Sequence, residues 1–136
     1  MSLARVLTRA IIGLDAPLVT VEVHLSHGLP SLVMVGLPEA TVKESRERVR
    51  SAIINSGFSF PVRRITVNLA PADMPKQGGR YDLPIAIAIL AASGQIPPAS
   101  LTAREFSGEL ALTGGLRAIR GAIPAVVDRQ STRLHS

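Results

Sequence analysis

The residues best equipped for chemistry crowd into one run, residues 68–84, with the sequence Asn-Leu-Ala-Pro-Ala-Asp-Met-Pro-Lys-Gln-Gly-Gly-Arg-Tyr-Asp-Leu-Pro. Lys76 and Arg80 supply positive charge, and Asp73 and Asp82 flank them. Gly78 and Gly79 allow a turn of positive φ and a close backbone approach. An apolar strand-like segment precedes the run (65–69) and an apolar helix-like one follows it (85–92). A strand that opens into such a loop and then a helix can present backbone N–H groups and basic side chains to an anion. The opposing reading is structural: Arg80 pairs with Asp82 or Asp73 to brace the loop, and the two aspartates cap loop and helix.

Other candidate cations lie outside the loop. Arg46, Arg48 and Arg50 crowd one helical segment, and Arg63 and Arg64 introduce a strand. Converging with Lys76 and Arg80, they would form a basic stripe suited to a phosphate backbone. Alternatively, residues 46–50 form a solvated helix face paired with Glu44 and Glu47. Aromatic stacking partners are scarce, with only Phe58, Phe60, Tyr81 and Phe106. His24 and His27 lie three apart on a strand and its turn with no evident third ligand, so no metal site is expected. The sequence has no Cys, which excludes disulfides, thiolate metal sites and Cys nucleophiles.

The elements that position these residues follow from periodicity. Residues 3–13 read as a strand, 19–25 as a half-buried alternating strand, and 32–35 as a short third strand. A helix follows, with Pro38 in its first turn, Thr41 and Glu44 as a capping box if it starts later, and Gly57 as its stop. Val42, Val49, Ala52 and Ile53 share one face of it, and Lys43–Glu47 and Glu44–Arg48 fall at i,i+4. A strand at 65–69 enters the loop, and Asp82 caps a second, largely buried helix that ends at Ser93 and Gly94. Residues 106–113 and 116–119 read as a hairpin turning at Gly114 and Gly115, 122–128 as a last helix, and 129–136 as a polar, disordered tail. This order describes one α+β domain, residues 1–128, with a mixed sheet and helices packed on one face.

Composition agrees with a single packed domain. Of 136 residues, 46% are hydrophobic and 3% aromatic, so Val, Ile, Leu and Ala must build the core. Net charge is +5, and among the basic residues only Lys43 and Lys76 are lysines. That balance permits nucleic-acid binding without requiring it. The longest apolar run, 83–92, is far short of the roughly 20 residues that span a bilayer. No leader is visible, and a cytoplasmic protein without a membrane partner is expected.

Several blocks carry a family resemblance. They are Val33-Met34-Val35-Gly36-Leu37-Pro38-Glu39, the helical stretch from Glu47 to Gly57, the loop from Asn68 to Pro84, and Gly108-Glu109-Leu110-Ala111-Leu112-Thr113-Gly114. With these the chain resembles the N-terminal domain of the ComM/YifB family of magnesium-chelatase-like AAA ATPases. The resemblance implies a ribosomal protein S5 domain 2-like fold, shared with the proteolytic domain of Lon. It also implies a place ahead of an AAA ATPase module that uses ATP and Mg, in proteins of DNA processing similar to a hexameric branch-migration helicase of natural transformation. DNA, the ATPase module and further copies of the chain are the partners it implies.

The same resemblance tests for proteolysis. Lon-type enzymes use a Ser nucleophile and a Lys base. Laid on Pro75 to Arg80, the nucleophile position holds Arg80, and an ungapped match from Gly108 puts Ile123 at the base. Arg stays protonated and Ile takes no proton, so no such dyad is expected. No G-x-x-x-x-G-K-[ST] sequence occurs, so the chain is expected to lack the ATPase module and to need no cofactor. The expected role is a non-catalytic accessory domain that engages DNA, with an assembly scaffold as the alternative.

Overall fold

The computed structural model describes residues 2–76, 78–101 and 104–117. The expected last helix, the tail and Ile123 lie outside the described residues. Four strands form the main sheet: β1 (Ser2–Arg9), β2 (Leu18–Ser26), β3 (Ser31–Val35) and β4 (Arg64–Ala70), in the spatial order β1-β2-β4-β3. β1 and β4 each pair antiparallel with β2, and β3 runs parallel to β4. A parallel neighbour requires a crossover. Helix α1 (Glu39–Asn55) provides it, between β3 and β4.

Alternation along the strands separates the two faces of this sheet. Val6 on β1, Val19, Val21, Val23 and Leu25 on β2, and Ile65, Val67 and Leu69 on β4 are all buried. Each contributes about 1.5–3 kcal/mol relative to leaving it in water. Helix α2 (Asp82–Ala92) packs on β1 and β2, and α1 packs on α2. The other face of the sheet carries Leu3, Arg5, Glu22, Val33 and Val35, all exposed or partly so. The mixed sheet with helices on one face is the expected α+β arrangement.

Helix α1 begins at Glu39 with Pro38 in the cap position, so the later start at Thr41 and its capping box are not used. Both helices end as Gly57 and Gly94 predict. Gly57 N–H donates to Ile54 and Phe58 N–H to Ile53, while Gly94 N–H donates to Ala91 and Gln95 N–H to Leu90. With both glycines at positive φ, these are paired 5→2 and 6→1 closures.

Other boundaries differ from the sequence reading. β1 ends at Arg9, because its partner strand begins at Leu18 and the chain from Ile12 to Asp15 folds back on itself instead. The first hairpin strand is much shorter than expected, with β5 (Glu109–Leu110) paired to β6 (Leu116–Arg117) across a five-residue connection, and the rest of the expected second strand, 118–119, lies outside the described residues. Residues 105–108 are taken up elsewhere. They run beside β1, with Glu105 bridging Leu7 in parallel and Phe106 N–H donating to the Leu7 carbonyl.

Candidate functional site: a surface of arginines and a buried polar hub

The β4–α2 loop folds its cations inward. Lys76 is 2% exposed, and its Nζ donates to the carbonyls of Pro71 (2.6 Å) and Met74 (2.9 Å), all within one loop. Desolvation pushes its pKa below the usual lysine value, partly offset by the charge of exposed Asp73. Arg80 is 6% exposed and sits in a short helical turn, Gly79–Tyr81, where Nε donates to the Arg9 carbonyl at 2.9 Å. Burial lowers its pKa as well, against the opposing effect of Tyr81. Gly78, at φ +81, makes the turn, and a Cβ on Gly79 would collide with the Glu109 side chain. The expectation of surface cations at Lys76 and Arg80 is therefore corrected. Lys76 turns inward to satisfy carbonyls of its own loop, and Arg80 turns inward to satisfy the carbonyl at the end of β1.

Asp82 is also corrected. It is the first residue of α2, Tyr81 occupies the cap position, and no side chain caps the helix. The Asp82 carboxylate is fully buried and joins three elements instead. Oδ1 accepts from Ser45 Oγ at 2.7 Å and Oδ2 from Arg48 Nε at 2.6 Å, and the Leu110 N–H donates to Oδ2 at 3.1 Å. The hydrogen bond to Asp82 is the main cause that raises the Arg48 pKa. Arg48 also reaches Glu44 at 3.5 Å. It is thereby withdrawn from any basic stripe.

A further buried cation, Arg9, stands at the end of β1. Its Nε and Nη2 donate to the Glu105 carboxylate at 2.8 and 3.1 Å, and Nη1 donates to the Ala16 carbonyl. Sequence reasoning missed this pair, since 96 positions separate the partners and only the fold brings them together.

Four of the seven cations of the expected stripe stay outside. Arg46, Arg50, Arg63 and Arg64 are exposed, and among the described residues none of them has a carboxylate within ion-pair distance. Arg46 and Arg50 lie one turn apart on α1. The Arg50 guanidinium stacks over Phe60, 5.9 Å from the ring centre, which anchors it to the loop that leads into Arg63 and Arg64. The structure thus divides the expected stripe into buried structural cations and a solvent-facing set around the α1–β4 loop. No group of three or more His, Asp or Glu side chains able to hold a metal exists among the described residues. No described helix is long and apolar enough to cross a membrane.

Fold and surface together define a small α+β domain with a parallel β3–α1–β4 crossover and a basic flank. The family model described as subunit ChlI of Mg-chelatase matches residues 21–136, and the chain belongs to that family. It is 65% identical over 128 residues to the uncharacterized protein YifB of Salmonella typhimurium, covering 94% of this chain and 25% of that protein. It is 60% identical over 133 residues to the competence protein ComM of Haemophilus influenzae, covering 98% of this chain and 26% of that one. An uncharacterized Mycobacterium bovis protein is 43% identical over 127 residues, covering 93% of this chain and 25% of its own length. The chain thus spans about a quarter of the length of these curated relatives.

Proposed function

We propose that this domain is a non-catalytic accessory module that engages DNA for a ComM-type ATPase. The observation that carries the reading is the set Arg46, Arg50, Arg63 and Arg64, exposed and free of carboxylate partners among the described residues. Arginines in that state gain most from phosphate, because no internal ion pair must first be broken. The competence protein ComM among the relatives supports a setting in DNA uptake and recombination. Branch migration driven by an ATP- and Mg-dependent module is the corresponding role of the longer protein. Lys76 and Arg80 hold the loop rather than the ligand.

Fluorescence anisotropy with single-stranded, duplex and four-way-junction DNA across a salt series tests this. Affinity should fall steeply with salt, and the Arg63→Ala/Arg64→Ala variant should lose about one unit of the log–log slope per arginine. No binding even at low salt would sink the reading.

A second reading, assembly of a ring, is favoured by one observation. β3 is an outer strand of the main sheet, with Val33 and Val35 half exposed on its open face. Sedimentation over a wide concentration range decides it, since a monomer throughout removes self-assembly.

A further inference from the structure

The end of the molecule that carries Arg63 and Arg64 has three further properties. First, a cleft of about 480 Å³ opens there, within the range of small-ligand sites. Its lining is mixed: Leu25, Pro61, Ala91 and Ala92 contribute apolar surface, Ser59 and Gln95 contribute polar groups, and Arg63 is part of the wall. Second, the cleft is preformed. Gln95, just past the end of α2, accepts from the Ser59 N–H at 2.8 Å and donates to the Ser59 carbonyl at 2.7 Å, which ties one wall to the other. Third, two apolar side chains project beside it, Val62 at 80% and Leu29 at 88% exposure. The Leu29 turn lies against Arg63 and Arg64, since Ser31 N–H donates to the Arg63 carbonyl and Gly28 packs near the Arg64 side chain.

The charge among the cleft's lining residues is that of Arg63. No Asp or Glu occurs between Arg48 and Ala72, nor in the 26–31 turn or the 91–95 segment. A cleft of mixed apolar and polar lining, with Arg63 in its wall, Arg64 next in sequence and no carboxylate among its lining residues, matches a ligand with a flat face and a polar edge next to an anion. A nucleotide with an unpaired base has that form, whereas a duplex keeps its bases stacked inside.

We propose that this cleft receives an unstacked base of a single strand, with Arg63 and Arg64 on the flanking phosphates. The inference rests on the DNA-binding reading and adds the strand state and the seat of the base. Val62 and Leu29 stand where apolar side chains can hold the neighbouring base out of its stack.

The test uses the whole 136-residue chain. Its probes are an oligo-dT, an abasic oligomer of equal length and charge, and a matched duplex. Because the sequence has no Trp, Val62→Trp places a single reporter on the cleft wall. Oligo-dT should bind about ten-fold more tightly than the abasic oligomer and quench the reporter. Neither the abasic strand nor the duplex should quench it. Equal binding of dT and abasic strands overturns the base-in-cleft inference while leaving phosphate binding in place. A dT preference without quenching, or one that survives Arg63→Ala/Arg64→Ala, also overturns it by moving the base elsewhere. Failure of every oligomer at low salt removes the DNA-binding reading as well. Capture by phosphatidylserine vesicles alone would assign the same surface to a membrane.

Discussion

Arg48 on the first helix and Asp82 at the head of the second meet at 2.6 Å, around a carboxylate that no water reaches. The same carboxylate takes the Ser45 hydroxyl and the Leu110 amide, so one side chain sets how α1, α2 and β5 sit together. Asp82→Asn keeps the shape and removes the charge. It should cost about 3–5 kcal/mol, because Arg48 is left largely buried with only the exposed Glu44, 3.5 Å away, as counter-charge. Urea denaturation measures the loss. Adding Arg48→Met should recover part of it, since the second change removes the stranded cation.

Lys76 makes a local prediction of the same kind. Lys76→Met removes two charge-assisted bonds to loop carbonyls and should cost about 1–3 kcal/mol in thermal or urea unfolding. The depressed pKa adds a pH signature. Folded Lys76 releases its proton below the unfolded value of 10.5, so the unfolded chain binds more protons in that window. Stability of the native sequence should therefore rise relative to the variant as pH climbs toward 10.5. A flat difference would place the ammonium in water.

Tyr81 behaves in the opposite sense. Its ring is buried, its hydroxyl has no hydrogen-bond partner among the described residues, and burial lifts its pKa from 10.0 to about 12. Stability is complete below the unfolded value and drains away as pH rises through the folded one, by about 2–3 kcal/mol. Tyr81→Phe removes an unsatisfied buried hydroxyl. It should be neutral or stabilising at neutral pH and should blunt the alkaline loss, read by melting curves at both pH extremes.

The backbone offers a fourth test at Gly36, where φ is +95 and a Cβ would overlap the Leu69 carbonyl oxygen. Gly36→Ala should cost about 1–3 kcal/mol, because both the positive φ and the contact with β4 oppose it. Equal melting temperatures for the two proteins would overturn that account.

Much of the fold was legible because it is local. The β2 alternation from Val19 to Leu25, the α1 face of Val49, Ala52 and Ile53, and the stops at Gly57 and Gly94 depend on neighbours a few residues away. The exposure of the candidate cations was half legible. Arg46, Arg50, Arg63 and Arg64 could be picked by type and setting. Whether Lys76 and Arg80 faced outward depended on carbonyls that only the folded loop and the distant end of β1 supply. Asp82 looked like a helix cap because Asp before an apolar run usually is one. Its partners at Ser45 and Leu110 are distant in sequence and leave no mark in it. Residues 106–108 satisfy a strand pattern, yet the chain spends them beside β1 and the α2 turn, where Gly108 N–H meets the Arg80 carbonyl.

The clasp between β1 and residues 105–107 has a consequence for the order of synthesis. Leu7, Thr8 and Arg9 leave the ribosome early, but their partners Phe106, Ser107 and Glu105 follow nearly a hundred codons later. At about 5–20 residues per second, the outer edge of β1 stays bare for roughly 5–20 s. An uncovered edge is a template for another chain on the same message. Ribosome-stalled chains should show it: cross-linking between the β1 edges of neighbouring nascent chains should persist until residue 107 has cleared the exit tunnel.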